Sequence, residues 1–173
     1  MPLNQPDDEH PARPVLGDAV AQARPRAGRG AVTGTVAEAM VTVPRTLPAS
    51  VCVAEARAAF ADPKVHLLLL TRGPRLVTTL TRADLVDATS GPARWLGSTA
   101  GRVTAPGEPL AEVGAWMRRT GTRRMAVIAD DDRLLGLLCL KASGRGFCSD
   151  ADVRARLSAS QDNLSHFMDG VVH

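Results

Sequence analysis

Apolar positions along the chain follow first a helical and then a strand period, and the same succession occurs twice. Thr35 and Glu38 have capping-box spacing, in which hydroxyl and carboxylate each take an orphan amide of a first helical turn. They predict a short helix to Met40. Arg45, Thr46 and Leu47 predict a brief strand that Pro48 ends. Ser50 is the expected cap of a helix over 51–61, whose apolar positions Val53, Ala56 and Phe60 fall at i, i+3 and i+7 on one face. Two strands are predicted next, over 66–71 and 75–80, with Gly73 and Pro74 turning the chain between them. Thr81 opens another short helix that reaches residue 88.

The pattern then restarts. Val53, Ala56 and Phe60 return as Leu110, Val113 and Met117, 57 positions later. The strand at 66–70 returns at 124–128, and the run 75–81 returns at 133–139, 58 positions later. Two β-α-β-β-α units are therefore predicted, an α/β (α+β) chain. Units of about 60 residues are marginal alone and gain by sharing a core. The expected organisation is a flexible arm over 1–33, a first unit over 34–91, a second over 92–157 and a tail over 158–173. The arm is rich in Pro, Arg, Gly and Ala, with room for a short helix over 15–23. Its Gly28, Gly30 and Gly34 are spaced nearly as in a dinucleotide-binding loop, but no strand precedes them and the spacing is off by one residue. A linker is the reading adopted.

Composition narrows the function classes. Hydrophobic residues make up 45% of the 173 and charged residues 23%, which is a globular composition. Aromatic residues are 3%, with no Tyr, so the core is built from Leu, Val and Ala. That scarcity argues against a single-stranded nucleic-acid platform, which stacks bases on aromatic rings. The net charge is +3, and the densest basic group, Arg118, Arg119, Arg123 and Arg124, is too small for a polyanion-binding stripe. Cys52, Cys139 and Cys148 follow no metal spacing, and His10, His66, His166 and His173 add no ligand pattern. Reduced thiols in a cytoplasmic protein are expected; Cys148 precedes a candidate helix start at Ser149, which would activate its thiol, with a buried, inert cysteine the default reading. The polar, acidic start predicts no signal peptide, and runs such as 67–70 are too short to cross a bilayer. No nucleophile–base pair, paired acid or metal set stands out, so neither catalysis nor a metal is expected.

The chain resembles the cystathionine-β-synthase (CBS) domain family. The first unit carries the resemblance at Met40, at Val53 to Ala56, at Leu67 to Leu70, and at Leu76-Val77-Thr78-Thr79-Leu80-Thr81-Arg82-Ala83-Asp84-Leu85. The second carries it at Leu110 to Val113, at Met125 to Asp130 and at Leu134-Leu135-Gly136-Leu137-Leu138. Residues 34–142 are covered. The resemblance implies a stand-alone Bateman module, with two units about a pseudo-twofold axis leaving two clefts. It implies a homodimer that regulates another, unknown protein, requires no cofactor, and binds AMP, ADP, ATP or S-adenosylmethionine.

The family's nucleotide motif is a Ser or Thr ending the last strand with an Asp three residues on, which Thr81 and Asp84 match. The carboxylate would accept both ribose hydroxyls, and the threonine would face phosphate. Ordinary helix capping is the other role open to the pair. The resemblance also puts Thr46, Leu47 and Pro48 beside the adenine, where packing is the alternative for Leu47. Arg123 and Arg124, before the second unit's strand, are candidates to reach phosphates, with a solvated pair the alternative. In the second unit Cys139 and Ala142 replace the motif, so one nucleotide per chain is expected, on the Thr81–Asp84 side. Thr78 stands where the family carries Gly, as Gly136 does in the second unit, and is expected to crowd that cleft. The competing function is a scaffold or interaction module of the same fold that has lost its ligand.

Overall fold

The computed structural model describes residues 33–155. The predicted arm with its helix over 15–23, and the tail over 158–173, lie outside the described residues. The first unit comprises α1 (Val36–Ala39), β1 (Thr46–Pro48), α2 (Val53–Ala59), β2 (Leu68–Arg72), β3 (Arg75–Leu80) and a 3-10 turn (Ala83–Leu85). The second comprises a 3-10 turn (Ala93–Trp95), β4 (Val103–Thr104), α3 (Leu110–Thr120), β5 (Arg124–Ile128) and β6 (Leu134–Cys139). Each unit builds a three-stranded sheet with the same connectivity: β1 and β4 lie parallel to β2 and β5, which pair antiparallel with β3 and β6.

Most predicted elements are present, with local differences that have physical causes. Helix α2 starts at Val53, and Cys52 rather than Ser50 is its N-cap, because the Glu55 carboxylate accepts the Cys52 amide at 2.8 Å. The α1 box forms as expected, with the Thr35 amide 2.6 Å from Glu38. The helix predicted after Thr81 shrinks to one 3-10 turn. The Arg57 guanidinium donates to the Leu85 and Ala88 carbonyls, which satisfies them without further helix. The two apolar stripes are buried: Val53, Ala56 and Phe60 are 1%, 0% and 6% exposed, and Leu110, Val113 and Met117 are 7%, 5% and 0%.

The units are interlocked, each lending its leading segment to the other. Val36 sits in the core of the second unit with Leu110, Val113, Met117, Met125 and Leu138, while Ala93 sits in the core of the first with Ala56, Phe60, Leu68 and Leu80. The hydrogen bonds are reciprocal. Val36 donates to Glu108 and Leu110 donates to Gly34, at 3.0 and 2.9 Å; Ala93 donates to Val51 and Val53 donates to Gly91, both at 3.0 Å. Val41 exchanges two 2.9 Å bonds with Leu137 of β6, and Ser98 donates to Thr79 of β3 at 3.0 Å. Between the sheets, Leu69, Leu76, Val103 and Ala126 form a shared layer.

Thr78 is accommodated at this junction. A Cβ on Gly136 would come within 2.5 Å of the Val41 carbonyl oxygen, so the second unit needs glycine on the strand. In the first unit the small residue is on the incoming segment instead: Gly97 faces buried Thr78, and a Cβ on Gly97 would lie 2.6 Å from the Thr79 carbonyl oxygen. The large and small partners have changed sides. Gly97→Ala should therefore destabilise the chain by about 1–3 kcal/mol, the usual effect of overpacking. Chemical denaturation of the purified variant measures this, and an unchanged midpoint would show that the 97–98 segment does not sit on β3.

Candidate functional site

Because the leading segments are exchanged, each cleft combines the residues before one unit's first strand with the end of the other unit's last strand. The first cleft brings Arg102, just before β4, to Thr81 and Asp84, just after β3. Arg102 holds Asp84 at both oxygens, with Nη1 2.6 Å from Oδ2 and Nη2 3.0 Å from Oδ1. The Thr81 amide and hydroxyl donate to Oδ2 at 2.6 and 2.9 Å. Burial alone raises the affinity of the Asp84 carboxyl for a proton. The Arg102 hydrogen bonds and those from Thr81 outweigh it and hold the group below its ordinary value. Thr81 thus hydrogen-bonds to Asp84 as in helix capping, the other role open to the pair, with a guanidinium on the carboxylate.

Trp116 of α3 packs beside Gly101, the neighbour of Arg102: a Cβ on Gly101 would be 3.6 Å from its Cη2. The repeat makes the comparison direct. Fifty-seven positions earlier, Arg102, Gly101 and Trp116 correspond to Arg45, Pro44 and Ala59, all of which line an open cavity in the second cleft. That cavity has a volume of about 280 Å³. Leu47, Val65, Leu67 and Leu137 give it apolar wall, Cys139 and Cys148 lie along one side, and Arg45, Lys64 and Arg124 oppose the single carboxylate of Asp62. Ala142, at the position of Asp84, provides no carboxylate for Arg45. The Arg124 Nη2 donates to the Lys64 carbonyl at 3.2 Å, while its buried Nε has no partner among the described residues. Three of the four charged side chains that line the cavity are cationic. His66 has its proton affinity lowered by burial and then by Arg124, Arg123 and Arg82.

The structure separates the residues singled out from the sequence into two groups. Leu47 and Arg124 line the open cavity; Thr81 and Asp84 do not, being held with Arg102. Thr46, Pro48 and Arg123 are exposed and outside the cavity lining. Sequence reasoning passed over Arg45, Lys64, Arg102 and Trp116 as site residues. The offset of 57 that revealed the repeat pairs Arg45 with Arg102 and Ala59 with Trp116, which is the signal that would have found them. Among the described residues no group of three or more His, Cys, Asp or Glu is placed to hold a metal ion, and no helix is long and apolar enough to cross a membrane.

Two interlocked β-α-β-β-α units with a cleft on each side make the fold that of a CBS domain pair. Solved structures show the same fold. AcuB of Vibrio cholerae, named for acetoin utilisation, matches with a TM-score of 0.53 and 17% identity over 79% of this chain and 99% of that one. CBSX2 in complex with AMP matches with a TM-score of 0.53 and 20% identity over 73% and 98%. The CBS domain pair of protein MJ0100, in complex with 5-methylthioadenosine and S-adenosyl-L-methionine, matches with a TM-score of 0.51 and 16% identity over 75% and 98%. No family model matches the sequence, and no curated protein matches it.

The ion pair makes a pH prediction. A carboxyl whose folded value is lowered contributes stability above its unfolded value, near 3.9, and loses that contribution as the pH falls through the folded value. Wild type should exceed Asp84→Asn by about 1–2 kcal/mol at neutral pH, the charge-assisted range discounted for partial exposure of the guanidinium. Denaturation midpoints measured down the acid range should show the difference shrinking below about pH 4. A difference that stays constant with pH would mean that Asp84 is not held as the anion.

Proposed function

We propose that the chain is a non-catalytic, ligand-sensing regulatory module whose ligand, an adenine nucleotide, occupies the open cavity lined by Leu47, Arg45, Lys64 and Arg124. The observation that carries this reading is the inequality of the clefts. In one, Arg102 already neutralises Asp84 and Trp116 packs beside Gly101, while the other keeps its apolar wall and three cations available. The cavity, at about 280 Å³, is just below the usual range for small-molecule sites, about 300–1,000 Å³. A base fits against Leu47, Val65 and Leu67, and phosphate oxygens suit Arg45, Lys64 and the unpartnered Nε of Arg124. The complexes of similar pairs with AMP and with S-adenosyl-L-methionine support an adenosine-bearing ligand. The excess of cations favours AMP, ADP or ATP over the positively charged sulfonium compound.

On this reading Thr81 and Asp84 act as a latch. A nucleotide on that side would have to supply a diol to Asp84 and an anion to Arg102 at once, replacing both halves of an ion pair. Binding is transmitted by a shift between states of a homodimer in the cytoplasm, acting on a regulated protein. Three cysteines with no disulfide among them are in keeping with that compartment, and exposed Trp95 and Val86, 74% and 71% accessible, give apolar surface for a partner.

Titration calorimetry should give one nucleotide per chain. Ala59→Trp, which copies Trp116 into the cavity, should abolish binding without altering charge. Arg124→Ala should weaken it roughly 10- to 150-fold, the effect of losing a charge-assisted contact. Asp84→Asn should leave it intact. Loss of binding in Asp84→Asn with normal binding in Ala59→Trp would place the ligand on the Thr81–Asp84 side. No binding by AMP, ADP, ATP or S-adenosylmethionine would leave the scaffold reading.

A further inference from the structure

Cys139 ends β6 at the position that Thr81 holds after β3 in the first unit, 58 residues earlier. Thr81 finds its partner three residues on, in Asp84, whereas the corresponding Ala142 offers Cys139 nothing. Its partner comes from farther along. After β6 the chain turns back through Gly144 and Gly146, both in the left-handed region at φ 70° and 76°, where a side chain would be strained. The returning segment pairs antiparallel, with Leu140 opposite Phe147, Lys141 donating to Gly146 at 3.0 Å and Cys148 donating to Cys139 at 2.8 Å. This sets the two cysteines side by side, with their Sγ atoms 3.0 Å apart and each residue 5% exposed.

The return is held in place beyond the pair. Asp150 accepts the Thr42 amide and hydroxyl, both at 2.8 Å, and Ser149 and Asp152 cap the helical turn that starts at 150. Both cysteines line the cavity, which opens to a small molecule beside them. Cys52, the third cysteine, is half-buried and caps α2 on its own.

We propose that Cys139 and Cys148 form a reversible dithiol–disulfide site in the cavity wall, taking a low-molecular-weight disulfide such as oxidised glutathione as its oxidant. The sulfurs stand about 1 Å beyond bonding distance on paired strands, so closure needs side-chain rotation and no rearrangement of the fold. The thiolate of one cysteine attacks the small disulfide, forming a mixed disulfide and expelling one small thiolate. The second cysteine, as thiolate, then attacks the protein sulfur of that mixed disulfide and expels the other. Two protein S–H bonds are lost and one S–S bond is formed; the small disulfide is reduced to two thiols, which carry off both protons. Reversible pairs of this kind are the usual form of disulfide in a reducing compartment.

The test uses the whole chain without nucleotide, so its outcome is independent of the ligand reading. Native protein incubated with oxidised glutathione should lose the mass of two hydrogens. Its titratable thiols should fall from three to one, and dithiothreitol should restore them. Peptide mapping should join the Cys139 peptide to the Cys148 peptide in wild type and in Cys52→Ser. Cys148→Ser should instead keep a glutathione adduct on Cys139. Because the mapping is done on wild type, a misfolded variant leaves the answer intact. Glutathione adducts without an internal bridge, a bridge to Cys52, or a bridge that forms only after unfolding would each overturn the proposal.

Discussion

Val41 and Leu137 exchange a pair of backbone hydrogen bonds across the two units, and Ser98 repeats the contact on Thr79. From this exchange of leading segments the other features follow. A 57-residue repeat cannot bury both faces of a three-stranded sheet, and each unit completes itself with a segment that its partner supplies. Val36 and Ala93 therefore lie in each other's cores, and neither unit has a complete interior alone. The interlock also fixes which residues can meet in a cleft. Arg102 is brought to Asp84, and Arg45 to Cys139, because each leading segment crosses to the strand end of the other unit.

That shared geometry lets small substitutions make the two clefts unequal. Where the first cleft has Arg102, Trp116 and Asp84, the second has Arg45, Ala59 and Ala142. The first set is complementary to itself: a carboxylate accepts a guanidinium at two oxygens, and an indole packs beside Gly101, next to that guanidinium's residue. The second set leaves cations without a carboxylate at the matching position and a volume that Ala59 cannot fill. The same backbone thus gives an ion-paired side and an open side lined by cations. Gly97 opposite Thr78 and Met40 opposite Gly136 show the same freedom in the packing, since the junction tolerates exchange of the large and small partners across it.

The fold was largely legible in the sequence because it depends on periodicity. The stripes Val53–Ala56–Phe60 and Leu110–Val113–Met117, the strands and the turn at Gly73 are local patterns, and the second copy of each confirmed the first. The ends of elements were less legible. The choice between Ser50 and Cys52 as a cap turns on where the Glu55 carboxylate lands, and the helix after Thr81 is cut short by Arg57 from another element. The candidate site was legible only in part. Thr81 and Asp84 announce themselves by spacing, and they do meet. Their third partner, Arg102, is 18 residues from Asp84, and nothing in the motif calls for it. Leu47 and Arg124 were grouped with Thr81 and Asp84, but the exchange of segments sends them to the other cleft. Long-range pairing of this kind is absent from local pattern and present only in the comparison of one repeat with the other.

The central claim, that one cleft is ion-paired within itself and the other receives the ligand, is tested most directly by backbone amide NMR during titration with AMP. The account predicts shifts concentrated at Leu47, Val65, Leu67, Arg124 and Cys139, with Thr81, Asp84 and Arg102 scarcely moved. Large shifts at Thr81, Asp84 and Arg102, with the cavity residues still, would contradict it.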